Sequence, residues 1–272
     1  MKNALTIDLE EWFSGHILAR GVKRESWETQ ELRVIKTTGK LLEILAHHKT
    51  HATFFVLGWL AERAPGLIKQ IEEAGHEIAS HGYSHTSITE MTPDEFEKDL
   101  KESIDVIGSC TRQRILGFRA PSFTVTTKTL WALGILARLG FKYDSSVFPL
   151  SFHPDYGIPD APLSIFKIHE KIFEVPLSCV EILRQRVPCA GGFYFRLYPY
   201  QLTRRLLQRC NKEGRPVIFY IHPWELDPEQ PRVNLGSLNT LRHYYNIHKI
   251  PERLDRLLED FQFATIREVI GL

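Results

Sequence analysis

Glu77-Ile78-Ala79-Ser80-His81-Gly82-Tyr83-Ser84-His85 is a short strand-like run that breaks into a turn with two histidines four residues apart. Neutral imidazole is the commonest protein ligand for transition metals. Four-residue spacing brings two rings onto one face of a helical turn. A turn directly after a strand is where α/β folds place their chemistry. The chain has 12 histidines, so pairs at this spacing also arise by chance. Two imidazoles leave a coordination sphere incomplete, and the reading depends on what the other strand ends contribute.

Upstream, Leu5-Thr6-Ile7-Asp8-Leu9-Glu10 reads as a first strand whose two carboxylates share one face. Ser14 to Glu31 lacks a period and reads as an irregular loop; Arg33 to His48 has helical spacing. The apolar run Ala52 to Gly58 fits a buried parallel strand, followed by one helix from about Leu60 to Ala74. Downstream, Thr92-Pro93-Asp94-Glu95 is a capping-box helix start. Ile115 to Phe118, Phe141 to Ser146, Ile172 to Leu177 and Val217 to Ile221 read as four more strands. Helices are expected from Thr126 or Thr127 to Ala137, from Pro199 to Asn211 and after Pro251. Loops are expected over Ser151–Pro162, Gly191–Arg196 and Pro228–Ser237.

Seven strands alternating with helices call for a parallel sheet with crossover helices, open or closed into a barrel. No glycine-rich dinucleotide or phosphate loop is present. With 34 basic and 33 acidic residues the net charge is +1, which gives no pull toward nucleic acid. No apolar run approaches the ~20 residues of a membrane span, and the first residues lack a signal-peptide pattern. Cys110, Cys179, Cys189 and Cys210 are scattered, as core residues or free thiols of a reducing compartment would be. A cytoplasmic location follows as the expectation.

Polar residues fall at successive strand ends: Asp8 and Glu10, His81 and His85, Arg119, Asp144, and His222. In an α/β barrel these ends converge on one face. Thr6-Ile7-Asp8-Leu9-Glu10, Ser80 to His85, Phe118-Arg119-Ala120-Pro121-Ser122-Phe123, Tyr143-Asp144-Ser145-Ser146 and Ile221-His222 resemble, in order, the five motifs of the NodB-homology polysaccharide deacetylases (carbohydrate esterase family four). Asp-Leu-Glu-Glu-Trp, Phe-Arg-Ala-Pro-Ser-Phe and His-Pro-Trp-Glu are similar to the branch found in exopolysaccharide loci of the exosortase type. The resemblance implies a distorted seven-stranded (β/α) barrel with parallel strands. It would be a single domain over 1–272, with about 226–272 packed on the barrel as an extension. It also implies removal of N-acetyl groups from an N-acetylated glycan, exopolysaccharide or peptidoglycan-like, with a divalent metal: zinc, or cobalt or nickel.

Amide hydrolysis needs an activated water, a polarised carbonyl and a proton for the leaving amine. Carried onto this chain, the resemblance makes Glu10, His81 and His85 the metal ligands. Asp8 becomes the base, Arg119 its partner, His222 the acid, and Asp144 the group that holds the His222 ring. Backbone N–H groups at Tyr143–Ser145 or near Ser84 are candidates for oxyanion stabilisation. Trp12, Phe123, Tyr143 and Trp224 are candidate substrate contacts, with Phe148, Phe193 and Tyr194 also beside the motifs. One departure concerns the first motif: the family has adjacent aspartates, whereas Leu9 separates Asp8 from Glu10 here. Glu11 is the substitute ligand if Glu10 fails, though it should face away. Two other readings stay open: metal-free hydrolysis of a small cyclic amide, as in allantoinase-like relatives, and a carbohydrate-binding relative without activity.

Overall fold

The computed structural model describes residues 1–15, 17–18, 21–150 and 157–272. Parts of the expected loops over 14–31 and 151–162 therefore lie outside the described residues. The strands are β1 (Asn3–Leu9), β2 (Thr53–Val56), β3 (Glu77–Ser80), β4 (Gly117–Phe118), β5 (Tyr143–Asp144), β6 (Phe166–His169), β7 (Ile172–Glu174), β8 (Cys179–Ile182), β9 (Gln185–Pro188), β10 (Ile218–Ile221) and β11 (Phe263–Ala264). The sheet order is β10-β1-β2-β3-β4-β5-β7-β6, and every pair but β6–β7 is parallel. All seven expected strands are in it. β6 adds an antiparallel edge, β11 pairs with the start of β1, and β8–β9 form a separate hairpin. No ladder joins β7 to β10 among the described residues; side chains and the chain after β7 bridge that seam. Ile218 N–H of β10 donates to Ser178 Oγ of that segment. The result is a distorted (β/α) barrel.

Alternation along β1 sets up the site. Leu5, Ile7 and Leu9 face the helices and pack with Leu41 and Leu45 of α1 (Val34–His47) and with Phe219. Ala4, Thr6 and Asp8 face the barrel interior. Below the polar layer the interior is plugged by Ala4, Phe55, Ala79, Tyr143, Val175 and Ile218. Charged groups above that plug are cut off from water on one side and open to the barrel mouth on the other.

The expected helix over 60–74 is two helices, α2 (Gly58–Arg63) and α3 (Pro65–Glu73). Pro65 has no N–H and opens α3, so the first helix ends before it. The capping box of α4 (Pro93–Cys110) forms as expected: Glu95 N–H donates to Thr92 Oγ1, and Thr92 N–H donates to Glu95 Oε2. α5 (Trp131–Arg138) starts later than its threonines suggest. The expected loop over Gly191–Arg196 is largely a short helix, α6 (Gly192–Leu197). It precedes α7 (Tyr200–Lys212). α8 (Ser237–Tyr244) follows the expected polar loop, and α9 (Ile250–Asp260) and α10 (Ile266–Ile270) close the chain. All four cysteines are buried free thiols. Among the described residues, no helix is long and apolar enough to cross a membrane.

Candidate active site

The turn after β3 is built by backbone hydrogen bonds that aim both imidazoles inward. Gly82 (φ 74°) and His85 (φ 61°) are in the left-handed region. A Cβ on Gly82 would lie 3.0 Å from Asp99 Oδ2, the carboxylate that organises the turn. Asp99, on α4, accepts from the N–H groups of Tyr83 (2.8 Å) and Ser84 (3.0 Å). His81 Nδ1 is 2.8 Å from the Arg119 carbonyl, so Nδ1–H donates and Nε2 is left with its lone pair. Burial lowers the His81 pKa to about 4 against the pull of Asp8 and Glu10, so the ring is neutral at pH 7.

Glu10, at the end of β1, meets this pair. One donor atom each from Glu10, His81 and His85 lies within 4.8 Å of the others. His85 Nε2 and Glu10 Oε2 are 2.5 Å apart, yet Glu10 Oε2 has no aligned hydrogen-bond donor among the described residues. Burial alone would raise the Glu10 pKa, but His85, His222 and His81 outweigh it and bring the carboxyl to about 2. A buried carboxylate and two imidazoles with crowded, unaligned donor atoms fit a divalent cation. Glu11 points elsewhere, as alternation requires. Its Oε1 accepts from Val34 N–H at the start of α1, so it is no substitute ligand.

Asp8 is 2% exposed and Arg119 is fully buried. Arg119 Nη1 donates to Asp8 Oδ1 (2.7 Å) and Thr6 Oγ1 (2.8 Å), while Nε and Nη2 donate to the carbonyl and hydroxyl of Ser145. The expected Asp8–Arg119 pairing is thus present in the geometry. Across the pocket, His222 Nε2 lies 3.9 Å from Asp8 Oδ2 and 3.6 Å from Glu10 Oε1. Its ring stacks on Trp224, with centroids 4.8 Å apart.

The group holding the His222 ring is Glu225, not Asp144. Glu225 Oε1 is 2.8 Å from His222 Nδ1, and Arg196 Nε donates to Glu225 Oε2 at 2.7 Å. Burial would lower the His222 pKa, but Glu225, then Glu10 and Asp8, raise it above its ordinary value. Asp144 instead accepts from Ser146 Oγ, which in turn accepts from Ala120 N–H, so it braces the Arg119 loop from behind. Its neighbour is another buried acid, Glu174. Burial raises Asp144 to about 6, and burial plus the Asp144 charge raises Glu174 well above the carboxylate range. Glu225 carried a sequence signal. It stands three residues after His222, at the position from which a carboxylate reaches back to the start of a turn.

Two of the four candidate substrate contacts line the pocket, Phe123 and Trp224; Phe193 and Tyr194 join them. Trp12 does not. It is buried against Phe13 and its Nε1–H donates to the Glu31 carbonyl. Tyr143 is in the interior plug and its hydroxyl donates to Glu77 Oε1. Phe148 is buried behind Phe123. The expected oxyanion donors are already in use: Tyr143 N–H on Leu116, Ser145 N–H on Phe118 and Ser84 N–H on Asp99. The pocket also has a wall the sequence did not suggest: Asn239, Arg242 and His243 of α8.

Residues 34–143 match the family model described as polysaccharide deacetylase, and residues 145–271 match a domain of unknown function, DUF3473. That first segment is thus similar to the polysaccharide deacetylase family. A peptidoglycan deacetylase of Helicobacter pylori is 34% identical over 119 residues, 43% of this chain and 39% of that protein. A chitooligosaccharide deacetylase of Rhizobium leguminosarum bv. trifolii is 36% identical over 76 residues, 28% of this chain and 35% of that protein. The chain thus spans under two fifths of the length of these curated relatives. Among solved structures, a candidate polysaccharide deacetylase from Mycobacterium smegmatis superposes with a TM-score of 0.64 at 20% identity, covering 98% of this chain and 89% of that one. A carbohydrate esterase family four pseudoenzyme from Bacillus anthracis superposes with a TM-score of 0.52 at 16% identity, covering 98% of this chain and 64% of that one. These likenesses establish the fold. The sheet crosses the boundary between the two matched segments, since Tyr143 of β5, the last residue of the first, pairs with Phe173 of β7 in the second.

Proposed function

We propose that this chain is a metal-dependent hydrolase that removes N-acetyl groups from an N-acetylated glycan of exopolysaccharide or peptidoglycan-like type. On this reading it acts as one unit over 1–272. The observation that supports it most is the convergence of Glu10, His81 and His85 beside Asp8 and His222 in one pocket. Glu10, His81 and His85 would hold the metal, which when bound supplies Lewis acidity toward the acetyl carbonyl and its attacking water.

The remaining chemistry belongs to side chains. Asp8, fixed by Arg119, accepts the proton of the water that adds to the acetyl carbon. His222, whose imidazolium form Glu225 favours, gives the Nε2 proton to the departing amine. The C–N bond breaks, leaving acetate and a free amino sugar. Phe123, Phe193 and Tyr194 give the pocket apolar aromatic surface against which a sugar can pack. The test is acetate release from an N-acetylglucosamine oligomer by zinc-loaded protein. Release that stops on chelation and returns with zinc supports the reading. Equal release without metal points to metal-free hydrolysis, and no release from any N-acetylated glycan removes it.

A further inference from the structure

We propose that Arg242 is an anion-recognising residue of the pocket, and that the glycan bound there carries a carboxylate or phosphate next to its N-acetylated sugar. The proposal takes the position of the sugar from the N-deacetylase reading.

Among the described residues, and apart from histidines, the charged side chains lining the pocket are Asp8, Glu10, Arg196 and Arg242. Three of these are engaged. Asp8 is paired with Arg119, and Glu10 faces His85, with Trp224 Nε1–H donating to its other oxygen. Arg196 is committed to Glu225 and to the carbonyls of Arg242, His243 and Tyr245. Arg242 forms no ion pair or side-chain hydrogen bond with any described residue. Its guanidinium carbon lies 5.7 Å from the centroid of Phe193, a ring on the same wall.

The segment that presents Arg242 is firmly held. Arg196 caps the carbonyls at the end of α8. His243 stacks on Trp224 with centroids 4.5 Å apart, and its Nε2 is 2.8 Å from Gln230 Oε1. Asn239, one turn before Arg242, lines the same wall and spends only one amide proton locally, on the Leu235 carbonyl. A guanidinium with five donors beside a free amide suits bidentate capture of a carboxylate or phosphate.

The experiment compares binding heats in wild-type protein, Arg242→Gln and Arg242→Lys, with acetate release assayed on the same samples. The probes are a hyaluronan tetrasaccharide against chitotetraose for the carboxylate, and N-acetylglucosamine 1-phosphate against N-acetylglucosamine for the phosphate. The expected result is a preference of about tenfold or more for one acidic probe, the size of one charge-assisted contact. That preference should vanish in Arg242→Gln and survive in part in Arg242→Lys. Equal binding of both pairs by wild type, or a preference that Arg242→Gln leaves intact, overturns the proposal. Acetate release separates the two ideas: preference without release keeps the anion site and removes the hydrolase reading, and release without preference does the reverse.

Discussion

Glu10 and Asp144 stand just past or at the ends of barrel strands, and both are buried carboxyls. Glu10 has its pKa brought down to about 2, while Asp144 is pushed up to about 6. Water is excluded from both, so burial cannot explain the difference. Glu10 faces three imidazoles that outweigh its burial, whereas the hydrogen bonds of Glu174 and the Ser146 hydroxyl only partly offset the burial of Asp144. The neighbours decide which carboxyl is a charged ligand and which is an internal brace. A strand-end position identifies a candidate; the direction of the side chain assigns its task.

The contrast can be broken most severely at the pocket. Asp8→Asn should lower kcat for acetate release by about a thousandfold, within the range for removing a general base, while elemental analysis still finds metal. Loss of metal in that variant would make Asp8 a ligand. Glu225→Gln should cost about a hundredfold, whereas Asp144→Asn should leave kcat within about threefold. The opposite ranking would restore Asp144 as the partner of His222.

The same pair of groups predicts a pH effect. His222 acts protonated, so activity falls as pH rises through its raised pKa. Glu225→Gln removes the strongest raising influence, and the alkaline limb of the kcat profile should move to lower pH. An unmoved limb would mean another group sets it. The smallest effect is on stability. Asp144 Oδ2 and Glu174 Oε2 have no donor among the described residues, an arrangement that one shared proton satisfies. The unfolded chain gives up carboxyl protons near pH 4, so this pair's contribution falls as pH rises from there, through about 6 for Asp144 and onward through the higher folded pKa of Glu174. Glu174→Gln has no such proton to lose. Its Tm should exceed that of wild type by a few degrees at pH 8, for a difference of about 1 kcal/mol, and match it at pH 4. A lower Tm at pH 8 would contradict the shared proton.

Much of the site was legible before any coordinates. The alternation of Asp8 and Glu10 placed both on one face, and the His81–His85 spacing survived because Gly82 and Asp99 fold the turn around it. Arg119 and His222 were found at strand ends that do converge. Asp144 was misassigned because strand position says nothing of which neighbour a short side chain reaches. Trp12 and Tyr143 adjoin the motifs in sequence but turn into the core, where their polar atoms find Glu31 and Glu77. The α8 wall was invisible because its place depends on Arg196, 46 residues before Arg242. The fold was the most legible part, since the period of strand and helix is local. The break at Pro65 has its signal in the proline itself, which the apolar period passes over, whereas the added strands β6 and β11 depend on chain geometry that periodicity does not report.

The most direct test of the account is a zinc titration of metal-depleted protein, followed by calorimetry, in wild type and in Glu10→Ala and His81→Ala. The account predicts one tight equivalent in wild type and its loss in both variants. Wild-type binding retained by either variant would contradict a metal centre built on Glu10, His81 and His85.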